Sequence, residues 1–514
     1  MKPFICFTMI LVLMTFTACV SSTAASAENA AAQKPYKLTS EYLQHPDKII
    51  AKADQTAAFW LKTIDPKYGG FFTNISQDGT PDPKITYKVS FVQSRNAFGM
   101  ARAYQLTGKK EYLNAARNAL DFVYEHAWDN VNGGWNQEMS QDGSLAEQGL
   151  EGMPWNTMKW AFNQLNMLAG LSAMADVTRS KKDIEWLNKS FTAYTNKMWD
   201  ARPGYEGYIG MGDADWSGMS GKSIGTTNDV IIAHQMSMTL MNTDKAYKER
   251  LLQTADRFVK MVATMDLREF GMEEYYDNDW KVLQAQPTTN TISGNLLKPS
   301  LCLAMAYSIE PKPEYKAASK KLIDEILNSN AYDAVNGGSY NTLNAATGEP
   351  TDKHKCWWEF EQCILSALMN YNMSGETQYL KMADKSLAAF MSKMYDSKYG
   401  DVFADLDENG KPLSTQKGNY WKESYHTIEL FYYTYLYGSL MLQKKPVSLY
   451  YSIEAQDQER SLTLQPMSLG KGGLVIKSVV LNGKSYKQFD SSACVVKVPA
   501  KTGGEFKVTF ATAK

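Results

Sequence analysis

The chain has 514 residues, of which 44% are hydrophobic, and a formal net charge of −1. That is ample apolar material for a large core, while the near-neutral balance argues against the basic surface that nucleic-acid binding requires. Six cysteines without a Cys-x-x-Cys pair argue against a zinc ribbon or a thiol redox motif.

Residues 1–27 read as an export signal, with Lys2 followed by an apolar run from Phe4 to Phe16. Thr17-Ala18-Cys19 resembles the end of a bacterial lipobox, although Phe16 stands where leucine is usual, and Ala25-Ser26-Ala27 is a small-residue cleavage site. The expectation is a secreted or periplasmic bacterial protein that touches a membrane only if Cys19 is lipidated. No later run is both long and uncharged enough to span a bilayer.

Residues 28–445 are organised by a repeat. Tyr68-Gly-Gly-Phe-Phe, Asn132-Gly-Gly-Trp-Asn, Asn336-Gly-Gly-Ser-Tyr and Tyr399-Gly-Asp-Val-Phe each lead toward a later glycine turn, as at Asp78-Gly79 and Asp142-Gly143, and read as the first half of a β-hairpin. Weaker copies sit around Gly207 and Gly271. The marks Gly70, Gly134, Gly207, Gly271, Gly338 and Gly400 are 62 to 73 residues apart, which is a repeat architecture. Between marks comes an apolar helix, then a break such as Thr107-Gly108 or Ser374-Gly375, then an amphipathic helix with stripes such as Leu113, Ala116, Leu120 and Val123. Helices apolar on most faces suit an inner ring and striped helices an outer one. The pattern predicts a mainly α protein, an (α/α)6 barrel or toroid. From 446 to 514 the helical pattern gives way to short alternating runs such as Val475-Ile-Lys-Ser-Val-Val-Leu, divided by turns such as Asn482-Gly483. This predicts a small β-sandwich-like domain, read first as a packing cap.

In such a barrel the N-termini of the inner helices converge on one mouth, where they favour negative charge and polarised carbonyl oxygens. Four clusters fall there: Lys88 with Gln93 and Arg95; Asn295 with Lys298; Trp357 and Trp358 with Gln362; and Trp421, Lys422, Tyr425 and His426. The tryptophans suit the apolar faces of sugar rings. Among the histidines, His426 is the first candidate for proton transfer. His234 is either lumenal or a core histidine. Glu359, Glu361, Glu423 and Glu429 are read as solvated-face residues. No Gly-rich phosphate loop, Rossmann pattern or His–carboxylate metal spacing stands out, so neither cofactor nor metal is expected.

These clusters, in this order over roughly residues 45–443, resemble the N-acylglucosamine 2-epimerase and cellobiose 2-epimerase superfamily. The resemblance implies sugar epimerisation next to a carbonyl, with two histidines exchanging the proton and an arginine stabilising the enolate oxygen. Arg95 matches the arginine and His426 the last histidine. The family's Gly-His-x-x-Glu motif reads Gly294-Asn295-Leu-Leu-Lys298 here, so one histidine is replaced by an amide and the glutamate by a cation. The glutamate after the Trp-Trp pair falls on Gln362, and the arginine after the last histidine falls on Glu429. Three readings follow. The first is an altered sugar epimerase or isomerase using His426 and Arg95, with His234 as a substitute second base. The second is a lyase or hydrolase on oligosaccharides, in which His426 or Tyr425 is the base and Arg95, Asn295 and Lys298 hold a uronate. The third is a non-catalytic sugar-binding protein. The implied partner is a mono- or oligosaccharide, and whether the barrel pairs as a homodimer stays open.

Overall fold

The glycine-marked repeats and the helices between them close into a ring. The computed structural model describes residues 36–145, 158–225, 234–264, 270–283 and 289–513, within which Leu38–Lys514 belong to one compact unit. The expected export signal, with Cys19 and both candidate processing sites, lies outside the described residues. Among the described residues the helices are α1 (Glu41–Gln44), α2 (Ile49–Leu61), α3 (Ser90–Thr107), α4 (Lys110–His126), α5 (Ala161–Thr178), α6 (Lys181–Met198), α7 (Met236–Met241), α8 (Lys245–Ala263), α9 (Gly294–Ile309), α10 (Pro313–Leu327), α11 (Trp357–Ser374), α12 (Thr377–Ala389) and α13 (Tyr425–Tyr437). The odd-numbered helices from α3 to α13 form the inner ring, in which α13 packs back on α3, and the even-numbered ones from α2 to α12 surround it. This is an (α/α)6 barrel.

Burial explains which helix goes where. Every residue of α3 from Ser90 to Leu106 is buried, whereas α4 buries one stripe through Tyr112, Ala115, Ala116, Ala119, Leu120, Phe122 and Val123. The inner helices approach closely where a glycine permits it: a Cβ on Gly170 of α5 would lie 2.4 Å from the Ser94 carbonyl oxygen of α3. Inner helices end in left-handed caps at Gly108 and Gly375, as the sequence suggests, and Arg179 takes the same conformation after α5.

The Gly-Gly segments are held by a recurring buried ion pair. A lysine just before an inner helix reaches back to an aspartate just after the preceding outer helix: Lys88–Asp65 at 2.9 Å, Lys159–Asp129 at 2.8 Å, Lys222–Asp200 at 2.9 Å and Lys355–Asp333 at 2.7 Å. The last repeat doubles the device, with Lys417–Asp396 at 3.3 Å and Lys422–Asp401 at 2.7 Å. Each aspartate also shapes its own turn. Asp65 Oδ1 accepts the Lys67 N–H at 2.9 Å, and the Asp65 backbone N–H donates to the Gly70 carbonyl at 2.8 Å. The lysines spend their other hydrogens on neighbouring acceptors, as Lys88 does on the Gly69 and Gln141 carbonyls. That satisfaction is what makes a buried ammonium tolerable. Burial alone would raise the Asp129 and Asp333 carboxyls, but the lysine and backbone bonds win and hold both at about 2. The stabilisation is therefore full above the unfolded carboxylate pKa near ~4 and is lost as pH falls through about 2.

One expected local hairpin forms as regular strands, Thr342–Asn344 with Pro350–Asp352 across the Gly348 turn, and the other repeats pair mainly with their neighbours. Tyr87–Val89 pairs with Glu138–Ser140, and Lys355–Cys356 with Asp405–Leu406, so each short strand before an inner helix is sewn to the next repeat. Within a repeat the Asp-Gly turn closes only isolated bridges, such as Met139 to Leu145. Strands of two or three residues are too short for a self-standing hairpin. The ring is closed by α2, which packs on α13, and by the Asp384 carboxylate of α12. That carboxylate accepts the Thr39 N–H at 2.8 Å, the Thr39 hydroxyl at 2.6 Å and the Ser40 N–H at 2.9 Å.

After the barrel come two antiparallel sheets. One runs in the order Val447–Ile453, Gly504–Thr512, Leu474–Leu481, Lys484–Tyr486, and the other in the order Arg460–Thr463, Val495–Val498, Phe489–Asp490. They sit on the C-terminal ends of inner helices: the Thr463 carbonyl accepts from Arg179 at 2.8 Å, and Ser468 donates to the Ser308 carbonyl at 2.7 Å. Cys302, Cys356, Cys363 and Cys494 are buried free thiols.

Replacing Lys355 by Met leaves Asp333 as an uncompensated buried charge, and the expected destabilisation is about 3–5 kcal/mol, read as a lowered urea midpoint. A double change of Lys355→Met with Asp333→Asn should recover part of that loss.

Candidate active site

The inner helices point their N-termini at a cavity of about 930 Å3. Arg95 of α3, Asn295 and Lys298 of α9, Trp357 and Trp358 of α11, and His426 of α13 line it, with Trp421 on its rim. Trp421 is 48% exposed and continues an aromatic wall through Phe162 and Trp160, whose rings stack at 4.6 Å. Such a wall offers π-faces to the apolar face of a sugar.

His426, in the first turn of α13, lines the cavity with its ring 6.2 Å from Trp357, 6.3 Å from Trp358 and 4.4 Å from Tyr425. Nδ1 is 3.0 Å from Glu361 Oε2, and Nε2 makes no hydrogen bond among the described residues. Burial, then Lys298, Arg95 and Lys422, push its pKa well below the usual histidine value, so the ring is neutral at neutral pH. Arg95 is held rigidly: Nε donates to Asn166 Oδ1 at 2.8 Å, Nη1 lies 3.8 Å from Glu423 Oε1, and the guanidinium lies 5.1 Å from the Phe162 ring centre and 5.4 Å from that of Tyr425. Lys298 lies 5.7 Å from the Trp358 ring centre, and burial, reinforced by Arg95, pushes its ammonium down to about 8.

Behind the cavity wall lie three fully buried carboxyl groups, Glu361, Glu423 and Glu429. Burial pushes Glu423 up to about 7 against the pull of Arg95 and Lys422, and Glu429 up to about 7 against the pull of Lys298. Burial and the nearby Glu429 push Glu361 well above the carboxylate range. Glu361, His426 and Glu429 bring ligand-type atoms within 4.8 Å of one another, a grouping invisible in linear spacing because Glu361 comes from another helix. Arg95 and Lys298 supply positive charge beside this set, and burial pushes Glu361 and Glu429 toward their neutral forms, both of which disfavour a cation there.

Several residues assigned to the mouth from the sequence stand elsewhere. Lys88 and Lys422 are clip lysines with side chains wholly buried. Gln93 pins the residue after the first Gly-Gly, accepting the Phe71 N–H at 2.6 Å and donating to its carbonyl at 2.9 Å. Gln164 does the same for Trp135. Gln362 is buried off the cavity and donates to Glu361 at 2.5 Å. His234 is also off the cavity wall. Neither of its ring nitrogens has a partner among the described residues, and burial pushes its pKa down to about 3, so its ring is neutral like that of His426. Burial, then Glu429 and Glu361, hold the Tyr425 phenol well above its usual pKa, so it donates to Glu429 Oε1 at 3.2 Å instead of serving as a base. Asn295 lines the cavity and donates its amide to Glu274. The four glutamates expected on a solvated face, Glu359, Glu361, Glu423 and Glu429, are all fully buried.

A ring of paired helices with a cavity at the helix N-termini, walled by tryptophans and holding an oriented histidine, defines an (α/α)6 barrel with an enzyme-like site. The model of the N-acylglucosamine 2-epimerase family matches residues 36–156 and 70–429, and the chain belongs to that family. It is 22% identical over 411 residues to a cellobiose 2-epimerase of Eubacterium cellulosolvens, covering 75% of this chain and 95% of that protein. Among solved structures, a D-mannose isomerase superposes with a TM-score of 0.66 at 20% identity, over 76% of this chain and 97% of that one. A family 76 glycoside hydrolase from a bovine Bacteroides thetaiotaomicron strain superposes with a TM-score of 0.54 at 12% identity, over 76% and 78%. At those identities the two structural likenesses speak to the fold.

The two lysine classes separate experimentally. Lys422→Met should lower the thermal midpoint by several degrees, on the order of the loss of a buried pair, whereas Lys298→Met should leave the midpoint nearly unchanged and reduce kcat/KM.

Proposed function

We propose that the protein moves a proton between the carbonyl carbon and its neighbour in a reducing mono- or oligosaccharide, as an aldose–ketose isomerase with His426 as the single proton carrier. The observation that carries this is His426 on the cavity wall, with Nδ1 held by Glu361 and Nε2 left for a substrate, beside Arg95 and Lys298. Inverting a carbon next to a carbonyl takes the proton from one face and returns it to the other, which calls for two carriers on opposite sides. Moving it along one face of a cis-enediol needs only one. Asn295, standing where the resembled family has its other histidine, has an amide that does not exchange a proton near neutral pH, and it is tied to Glu274. Arg95 and Lys298 then stabilise the charge that develops on the enediolate oxygen. The chain's similarity to a cellobiose 2-epimerase and to a D-mannose isomerase fits a proton-transfer reaction of this kind.

A second reading, β-elimination on uronate-bearing oligosaccharides, is favoured by the same two cations lining the cavity. Hydrolysis is the less favoured alternative: Glu361, Glu423 and Glu429 lie behind the wall, and of the two carboxylates on the lining, Glu274 and Asp405, Glu274 is taken up by the Asn295 amide.

Proton NMR in heavy water with neutral and uronate sugars separates these readings. Expected is loss of the signal beside the carbonyl together with ketose signals, and a fall in kcat of about 10²–10⁴-fold in His426→Ala. For Arg95→Met the expected fall is about 10²–10³-fold. A C2 epimer as first product would require a second proton carrier, vinyl protons would establish the lyase, and line broadening without turnover would leave a binding protein.

A further inference from the structure

Glu361 and Glu429 come from neighbouring inner helices and meet behind His426. Nδ1 of the imidazole is 3.0 Å from Glu361 Oε2 and 4.0 Å from Glu429 Oε2. The outer carboxyl oxygens have neutral donors: Gln362 Nε2 gives to Glu361 Oε2 at 2.5 Å, and the Tyr425 hydroxyl to Glu429 Oε1 at 3.2 Å. The remaining oxygens, Glu361 Oε1 and Glu429 Oε2, are buried with no hydrogen-bond partner among the described residues. Two buried acceptors without a donor, on carboxyl groups this close, call for a hydrogen between them. The other charged and titratable groups facing the pair are Arg95 from α3, Lys298 and Cys302 from α9, Lys422 and Glu423 before α13, and Tyr433 on α13 itself. Position 429 carries arginine in the resembled superfamily, so the carboxyl pair is a departure of this chain.

We propose that Glu361 and Glu429 share one proton, and that the protonation of this pair decides which ring nitrogen of His426 faces the cavity as a base. The proposal rests on the isomerase reading for its kinetic consequence only. With one proton in the pair, Glu361 Oε2 accepts the hydrogen of Nδ1, and the Nε2 lone pair is available to a sugar C–H. When a second proton arrives, Glu361 donates to Nδ1, the ring hydrogen resides on Nε2 by exchange with water, and the imidazole stays neutral yet no longer abstracts a proton. Acidification therefore switches the site off without charging the histidine. The apparent midpoint belongs to the pair as a unit, and burial with mutual repulsion raises both carboxyls, Glu429 to about 7. Glu361 and Glu429 are positioning residues that act through His426.

Nitrogen-15 NMR of the histidine-labelled full chain reads the tautomer directly, with the His426 signals identified by their loss in His426→Gln. Expected is an Nδ1–H form at high pH giving way to an Nε2–H form as pH falls, at the same midpoint as the acid limb of kcat/KM. Glu429→Leu removes the carboxyl that shares its proton with the Glu361 carboxylate and should move both midpoints up by about one pH unit or more. Glu361→Gln should make the tautomer independent of pH. A folded Glu429→Leu protein with both midpoints unmoved or lowered would overturn the proposal. If that variant does not fold, a pH-dependent tautomer switch persisting in Glu361→Gln would overturn it. Activity lost on chelation and restored by zinc or manganese would overturn it too, because the three side chains would then hold a metal. A protein that exchanges no sugar proton yet shows the tautomer switch would retain the pair and refute the isomerase reading alone.

Discussion

The constraint on which the molecule depends is the buried lysine–aspartate clip. A lysine directly ahead of an inner helix can discharge its three hydrogens only if the aspartate and turn carbonyls of the preceding repeat segment are in place. The clip thus sets where the inner helices that follow a clip lysine begin and how far they protrude into the mouth; α9, preceded by residues 290–293, has no such lysine. Arg95, Asn166 and Gln362 each lie seven residues beyond a clip lysine, Lys88, Lys159 and Lys355. Two of them, Arg95 and Asn166, meet across adjacent helices. Geometry at the cavity is in this sense inherited from hydrogen bonding outside it.

Much of the fold was legible from the residues. The Gly-Gly marks require positive φ, which Gly69, Gly70, Gly133, Gly134, Gly337 and Gly338 all adopt, and few residues other than glycine do so cheaply. All-apolar and striped helices sorted themselves into inner and outer rings by their periodicity. The site was only partly legible. Lys88 and Lys422, beside aromatics at a helix start, look like ligand-binding residues in a linear string, and their aspartates lie 23 and 21 residues earlier. Their recurrence in every clearly marked repeat was the available signal, since a substrate is bound once and a structural device recurs. Glu361 was obscured for the opposite reason. Its partner His426 is 65 residues away, and nothing local distinguishes it from a solvated glutamate. Glu429, one helical turn beyond His426, was the more readable of the two.

The cavity and its surroundings divide the electrostatic work. Arg95, Lys298 and Asn295 face the open space together with Glu274 and Asp405, while Glu361, Glu423 and Glu429 are withdrawn behind the wall, where low polarity lifts their proton affinity. A site built this way holds its charge state loosely, and small changes in the buried layer alter the chemistry of a histidine they do not expose. The price in stability is borne by the clips and by the densely buried inner helices.

The clasp of Asp384 on Thr39 and Ser40 joins positions 345 and 344 residues apart along the chain. The first outer helix therefore waits for its neighbours until the last repeats have been made. On a ribosome, or on any machine that delivers the chain from its N-terminus, the early repeats accumulate as an open arc with an unmatched edge at each end. Completion is a late, long-range event of the kind that folds slowly and exposes apolar surface in the interim. Loss of a few residues at either end of the barrel opens the same joint.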